Sequence, residues 1–325
     1  SIQKNKKEEK MLSLLKDKID NADYMKLKKY IDKQKGEFIF IDKKDNLFNF
    51  PFVLYIPSII ESNTIIMHGN NMATNEGNIY NIYAAILETS EEVGGFNLTA
   101  LNQIIYIPVT SNYIHPANNN MHEFFPMQAT RNVVFCKDKN NTYYNIFDQV
   151  NRQLTYIREY VFENYGVKLN DRIICHGFSS SAKFVLRYAT LNAKKVVLLI
   201  AGGFGSQAII PLKVYNDIKL IYPVGVYDVV FDLPSFKSMK QVYFMGENES
   251  SSNDTAMNFR HTDENVKNIY VELFGSDIWE RFYKIKDIYS KLDIKNAEFI
   301  KYEHYGHTYN DEARKYTKEL ILKFR

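Results

Sequence analysis

From Gly36 onward the chain alternates short, wholly apolar runs with longer stretches in which apolar residues recur every three or four positions. The runs EFIFID (37–42), PFVLYIP (51–57), TIIMHG (64–69), IIYIPVT (104–110), RIICHG (172–177), KKVVLLIAGG (194–203), QVYFMG (241–246) and AEFIKYE (297–303) are rich in β-branched and aromatic residues. Turn residues bound them, which predicts strands. Between them, 145–166, 181–191, 277–292 and 311–324 carry helical spacing. Strands that are apolar throughout must be covered on both faces. Their regular alternation with helices therefore predicts an α/β domain with a mainly parallel sheet.

Residues 1–35 differ. Leu12, Leu15 and Ile19, then Leu27, Tyr30 and Ile31, mark two short amphipathic helices with a break at Asn21 to Asp23 and a stop at Gly36. They form an expected N-terminal helical extension (1–35) ahead of one domain at 36–325. The mixed-sign, Lys-rich face of these helices reads as solvated. Residues 111–142, with an asparagine-rich loop at Pro116 to Asn120, read as an insertion between core elements.

Composition narrows the classes. With 45% hydrophobic and 24% charged residues the chain is a folded globular one. Its Tyr and Phe are spread through every segment and its formal net charge is only +3, so no nucleic-acid partner is expected. Two cysteines, Cys136 and Cys175, exclude a disulfide framework. Cys175, inside an apolar run, reads as a small buried hydrophobe. No stretch approaches the roughly 20 apolar residues of a membrane span, and no signal-peptide core opens the chain. A soluble protein is expected, either cytoplasmic or exported with an upstream signal already removed. Nothing in the pattern sets its oligomeric state.

In parallel sheets the chemistry gathers at the carboxyl ends of strands. After RIIC stands HGFSSS, close to the G-x-S-x-G elbow that exposes a serine between strand and helix. Counting from Gly177 makes Ser179 the nucleophile, Ser180 the donor of an oxyanion N–H, and Ser181 a small packing residue in place of the second glycine. A serine run is also a favoured helix cap. After AEFIKYE stands HYGHTYN, where His307, with His304 as its competitor, is the candidate base. After QVYFM stands GENESSSND, offering Glu249 and, second, Asp254 as the carboxylate that orients the imidazole. After TIIM stands HGNN, in which the Asn70 N–H would complete an oxyanion hole and Asn71 could add a side-chain donor.

Other motifs lead elsewhere or nowhere. His122-Glu123 begins an HExxH-like string whose last position is Pro126, so no zinc site and no metal are expected. Gly202-Gly203-Phe204-Gly205 lacks phosphate-binding spacing; Phe204 is expected to face substrate from a pocket wall. Tyr227-Asp228 offers an alternative acid, though a structural turn is the favoured reading there.

The stretches HGNN, GFSSSAKFVLR, YPVGVYD, FMGENE, ELFG and the closing YGH resemble those of the α/β-hydrolase superfamily, in particular bacterial predicted esterases akin to polyhydroxyalkanoate depolymerases and feruloyl esterases. The resemblance covers roughly 37 to 325. It implies the α/β-hydrolase fold, a Ser179–His307–Glu249 triad with glutamate in place of the commoner aspartate, a small-molecule ester substrate and no cofactor. Two rivals stand beside ester hydrolysis: a peptidase or amide hydrolase on the same triad, and a binding protein that keeps the fold without turnover.

Overall fold

The computed structural model of the protein describes residues 9–71, 78–89, 95–110, 126–206, 209–225, 230–249 and 264–325. Asp254, Tyr227-Asp228, His122-Glu123 and the asparagine-rich loop lie outside them.

The N-terminal segment begins with a two-residue strand, β1 (Glu9–Lys10), followed by helices α1 (Met11–Leu15) and α2 (Asn21–Asp32). The break between the helices falls earlier than the pattern predicts. Asp20 caps α2 by accepting the Asp23 N–H at 2.9 Å, so Asn21 to Asp23 form the first turn instead of interrupting it. Met11, Leu15, Leu27 and Tyr30 are buried in the same core as the sheet.

The remaining strands are β2 (Gly36–Ile41), β3 (Phe52–Pro57), β4 (Ile66–His68), β5 (Ile105–Pro108), β6 (Ile173–Phe178), β7 (Val196–Gly202), a small hairpin β8 (Val214–Tyr215) and β9 (Ile218–Lys219), β10 (Lys240–Gly246) and β11 (Ala297–Tyr302). Among the described residues the main sheet runs β1-β2-β3-β5-β4-β6-β7-β10-β11. It is parallel from β5 to β11, while β1, β2 and β3 pair antiparallel with their neighbours. β3 is buried on both faces although antiparallel, so its unbroken apolar run reports burial and not strand direction.

Side chains of successive strand residues alternate between two cores. Leu199 and Ala201 of β7 face one, Leu198 and Ile200 the other. The first core is closed by α5 (Ile146–Tyr165), α6 (Ser180–Leu191), α8 (Glu264–Phe274) and α9 (Ile278–Lys291). The second is closed by α1, α2, α3 (Asn78–Leu87) and the last helix, α10 (Asp311–Phe324). Within the expected insertion, a 3₁₀ turn at Pro126–Gln128 and the short α4 (Arg131–Val134) lie against the first core, and α7 (Leu233–Ser238) precedes β10. The Gln128 carbonyl accepts from the fully buried Arg187 of α6 at 2.7 Å. β4, β6, β7, β10 and β11 all point their carboxyl ends the same way, which gathers the candidate loops at one edge.

Candidate active site

The turn from β6 to α6 is sharp enough to hold Ser179 at φ 62° and ψ −123°. Such a backbone is strained for any residue with a side chain, at a cost of about 1–3 kcal/mol. The surroundings hold it there. The Ser179 N–H donates to the Gly202 carbonyl at 2.8 Å, its carbonyl accepts from the Ala182 N–H at 3.1 Å, and the Ser181 hydroxyl bridges back to the Phe178 N–H and carbonyl at 2.7 and 2.8 Å.

Ser181 occupies the position where the elbow pattern has its second glycine, and the structure explains how. A Cβ on Gly69 would lie 2.6 Å from the Ser181 Cβ, and one on Gly177 would lie 2.5 Å from the Ser181 carbonyl group. Glycine on the neighbouring strand end makes the room that glycine inside the elbow would otherwise provide.

His307 lies between β11 and α10. Its Nε2 is 2.9 Å from Ser179 Oγ, and its Nδ1 is 2.5 Å from Glu249 Oε1. The other carboxylate oxygen of Glu249 accepts the Gly246 N–H at 2.9 Å. The side chain of Glu249 is 7% exposed and that of His307 47%, so the acid is enclosed while the imidazole meets solvent. The acid loop and the histidine loop are fastened together. Glu247 N–H donates to the Tyr302 carbonyl at 2.9 Å and Asn248 N–H to the Tyr305 carbonyl at 2.8 Å. Gly246 permits this approach, since a Cβ there would sit 2.2 Å from the Gly306 carbonyl oxygen. The Phe178 ring packs on the imidazole with centroids 4.9 Å apart.

The structure thus brings Ser179, His307 and Glu249 into one hydrogen-bonded chain. His304 is not part of it. That residue is exposed, and its backbone N–H donates to Glu247 at 2.9 Å.

The two residues expected to line an oxyanion hole flank the elbow. Ser180 opens α6, where first-turn N–H groups have no acceptor inside the helix, and its hydroxyl accepts from Gln128 Nε2 at 3.1 Å. Asn70 is buried just past β4. The side-chain carbonyl of Asn71 accepts the Ser181 N–H at 2.8 Å, tying its loop to the elbow helix.

Phe204 requires a correction. It is fully buried and packs on Tyr243 and Phe282, with centroids 5.4 and 6.3 Å apart. Its ring fills the core beneath β7 and β10 and does not front a pocket, because an apolar ring gains more from complete burial than from a solvent-facing wall.

Sequence reasoning also missed a buried polar set under the β4 loop, comprising His68, Glu88, His176 and Tyr309. The signal was available as two HG doublets, 68–69 and 176–177, each closing a strand, and as a carboxylate ending the apolar stretch NIYAAILE (81–88). Cys175 is buried as expected, and burial pushes its thiol well above the usual range. Among the described residues, no group of His, Cys, Asp or Glu side chains is arranged to hold a metal ion, and no helix is long and apolar enough to cross a membrane.

The chain has the α/β-hydrolase fold. It superposes on a poly(aspartic acid) hydrolase-1 from Sphingomonas sp. KT-1 over 89% of this chain and 99% of that one, with a TM-score of 0.52 and 14% identity. It is similarly close to an S-formylglutathione hydrolase from Agrobacterium tumefaciens (89% and 95% covered, TM-score 0.51, 10% identity) and to a poly(3-hydroxybutyrate) depolymerase from Bordetella parapertussis (90% and 91% covered, TM-score 0.50, 12% identity). No model of a known protein family matches the sequence, and no curated protein matches it.

Proposed function

We propose that the protein is a serine hydrolase that cleaves carboxylic esters of small molecules through an acyl-enzyme on Ser179. The observation that carries this reading is the unbroken chain from Glu249 through His307 to Ser179, set on a strained turn. His307 Nε2 takes the Ser179 hydroxyl proton as Oγ bonds to the ester carbonyl carbon. Glu249 holds the imidazole by its Nδ1–H and stabilises the cation that results. The N–H groups of Ser180 and Asn70 receive the negative charge on the former carbonyl oxygen. Loss of one such donor typically costs about 2.7–4 kcal/mol in the barrier. As the tetrahedral centre collapses, the C–O bond to the alcohol breaks and the alcohol leaves with the proton held by His307. Water, deprotonated by the same imidazole, then attacks the acyl carbon and frees Ser179. No step calls for a metal or an organic cofactor. The structural neighbours that carry hydrolase and depolymerase names support hydrolysis on this fold.

Labelling by a fluorophosphonate probe, together with turnover of a p-nitrophenyl ester panel, tests the reading. Both are expected in the wild type and both are lost in Ser179→Ala. A wild-type protein that neither labels nor turns over any ester would favour a binding protein, and faster cleavage of peptide amides than of esters would favour a peptidase.

A further inference from the structure

Beneath the loop that follows β4 the structure buries a second group of ionisable side chains, which the proposed reaction does not use. His68 and His176 are register partners on β4 and β6, and their Nδ1 atoms are 3.0 Å apart. His176 Nε2 lies 3.0 Å from the Tyr309 hydroxyl, which in turn is 2.6 Å from the Thr317 hydroxyl of α10. His68 Nε2 faces Glu88 Oε2 at 3.8 Å. Both carboxyl oxygens of Glu88 accept the Asn71 N–H, at 3.1 and 3.0 Å.

An Nδ1-to-Nδ1 hydrogen bond carries a single proton, which suits two neutral imidazoles. Burial pulls His68 down to about 4 and His176 well below its usual value. Burial also pushes the Glu88 carboxyl up to about 8, against the opposing pull of the Asn71 N–H. A buried carboxyl is expensive unless its hydrogen bonds are made. This one is placed where its bonds govern the candidate oxyanion loop. The Gly69 N–H is fixed on the His176 carbonyl at 3.2 Å and the Asn71 N–H on Glu88, so the Asn70 N–H lies between two anchored peptides.

We propose that Glu88 is a positioning residue, which sets the Asn70 amide for the oxyanion by holding the peptide that follows it. This inference rests on the acyl-transfer reading given above. Glu88 performs the task uncharged. A carboxylate at this place would set a second negative charge near the one that develops on the substrate, opposing the stabilisation the loop provides. Among the described residues, the ionisable group facing Glu88 is His68 from β4, with His176 from β6 bonded behind it and Tyr309 from the segment before α10 bonded to His176; on its own segment, the adjacent Thr89 bonds Tyr30 of α2. Among the described residues, His68 alone lies within ion-pair distance of the carboxyl.

The test compares wild type, Glu88→Ala and Glu88→Gln in ester turnover across pH 6 to 10, with fluorophosphonate labelling of each. Glu88→Ala is expected to lower kcat by about 10- to 100-fold with little change in KM, because an oxyanion contact acts in the transition state. Glu88→Gln keeps an acceptor for the Asn71 N–H and should restore most of that turnover at pH 7. If burial holds the Glu88 carboxyl at about 8, wild-type kcat is expected to fall above about pH 8, and Glu88→Gln should abolish that fall, since an amide cannot ionise. Wild-type kcat in Glu88→Ala, or an unchanged alkaline decline in Glu88→Gln, overturns the proposal while the labelling wild type keeps the acyl-transfer reading intact. A wild type that neither labels nor turns over removes that reading and this inference with it. If Glu88→Ala does not fold, the pH profile of Glu88→Gln decides alone.

Discussion

Replacing Glu249 by glutamine changes one atom and exposes how the site is wired. In the wild type one carboxylate oxygen accepts the Gly246 N–H at 2.9 Å while the other faces His307 Nδ1 at 2.5 Å. A glutamine side chain has one acceptor oxygen for these two demands. If that oxygen stays on the Gly246 N–H, the amide NH₂ points at His307 Nδ1, which must then be bare. The imidazole proton moves to Nε2 and opposes the Ser179 hydroxyl, and the base is lost. If the amide turns over, its NH₂ meets the Gly246 N–H, and a buried donor goes unsatisfied at a cost of about 1–3 kcal/mol. That cost alone corresponds to about 5- to 150-fold in rate. Loss of the negative charge that stabilises the imidazolium adds to it, up to the roughly 10⁴-fold loss seen when a triad carboxylate becomes an amide. We therefore expect Glu249→Gln to lower kcat by between about 10²- and 10⁴-fold, with KM nearly unchanged and the fold intact. Steady-state kinetics on a p-nitrophenyl ester, with circular dichroism as control, measures this. A Glu249→Gln protein with kcat within threefold of wild type refutes the assignment, and a loss confined to Asp254→Asn would transfer the role to that residue.

Three further predictions follow from the same geometry. Ser179→Gly should abolish turnover yet raise stability relative to Ser179→Ala by about 1 kcal/mol in urea denaturation, because glycine relieves the positive φ; equal stabilities would show that the turn is unstrained. Gly69→Ala should destabilise by about 1–3 kcal/mol and depress kcat, since the added methyl would drive into Ser181; a stable, fully active variant would disprove the close packing of that loop on the elbow. Phe204→Ala should cost about 3–5 kcal/mol of stability while leaving the ranking of ester chain lengths unchanged. A shifted ranking in a stable protein would return Phe204 to the substrate pocket.

The pattern of apolar runs was enough to predict the strands and the helix-covered sheet, because burial on two faces leaves a direct mark on composition. It also directed attention to Ser179, Glu249 and His307, because each follows a strand run and chemistry collects at strand ends. One expectation failed for a physical reason. Phe204 follows a strand too, but distance along the chain says nothing about which side of the loop a side chain takes. Packing on Tyr243 and Phe282 turned Phe204 inward.

The sequence ranked His307 ahead of His304, three residues apart in one loop, but only the tertiary structure shows which imidazole meets the Ser179 hydroxyl, since that depends on where the acid loop fastens to the histidine loop. The same holds for the buried set of Glu88, His68, His176 and Tyr309, whose members come from four separate places in the chain. Local sequence determines periodicity and burial through short-range preference, whereas a hydrogen bond between residues 128 apart, such as Ser179 with His307, exists only once sheet order and register have brought the loops together.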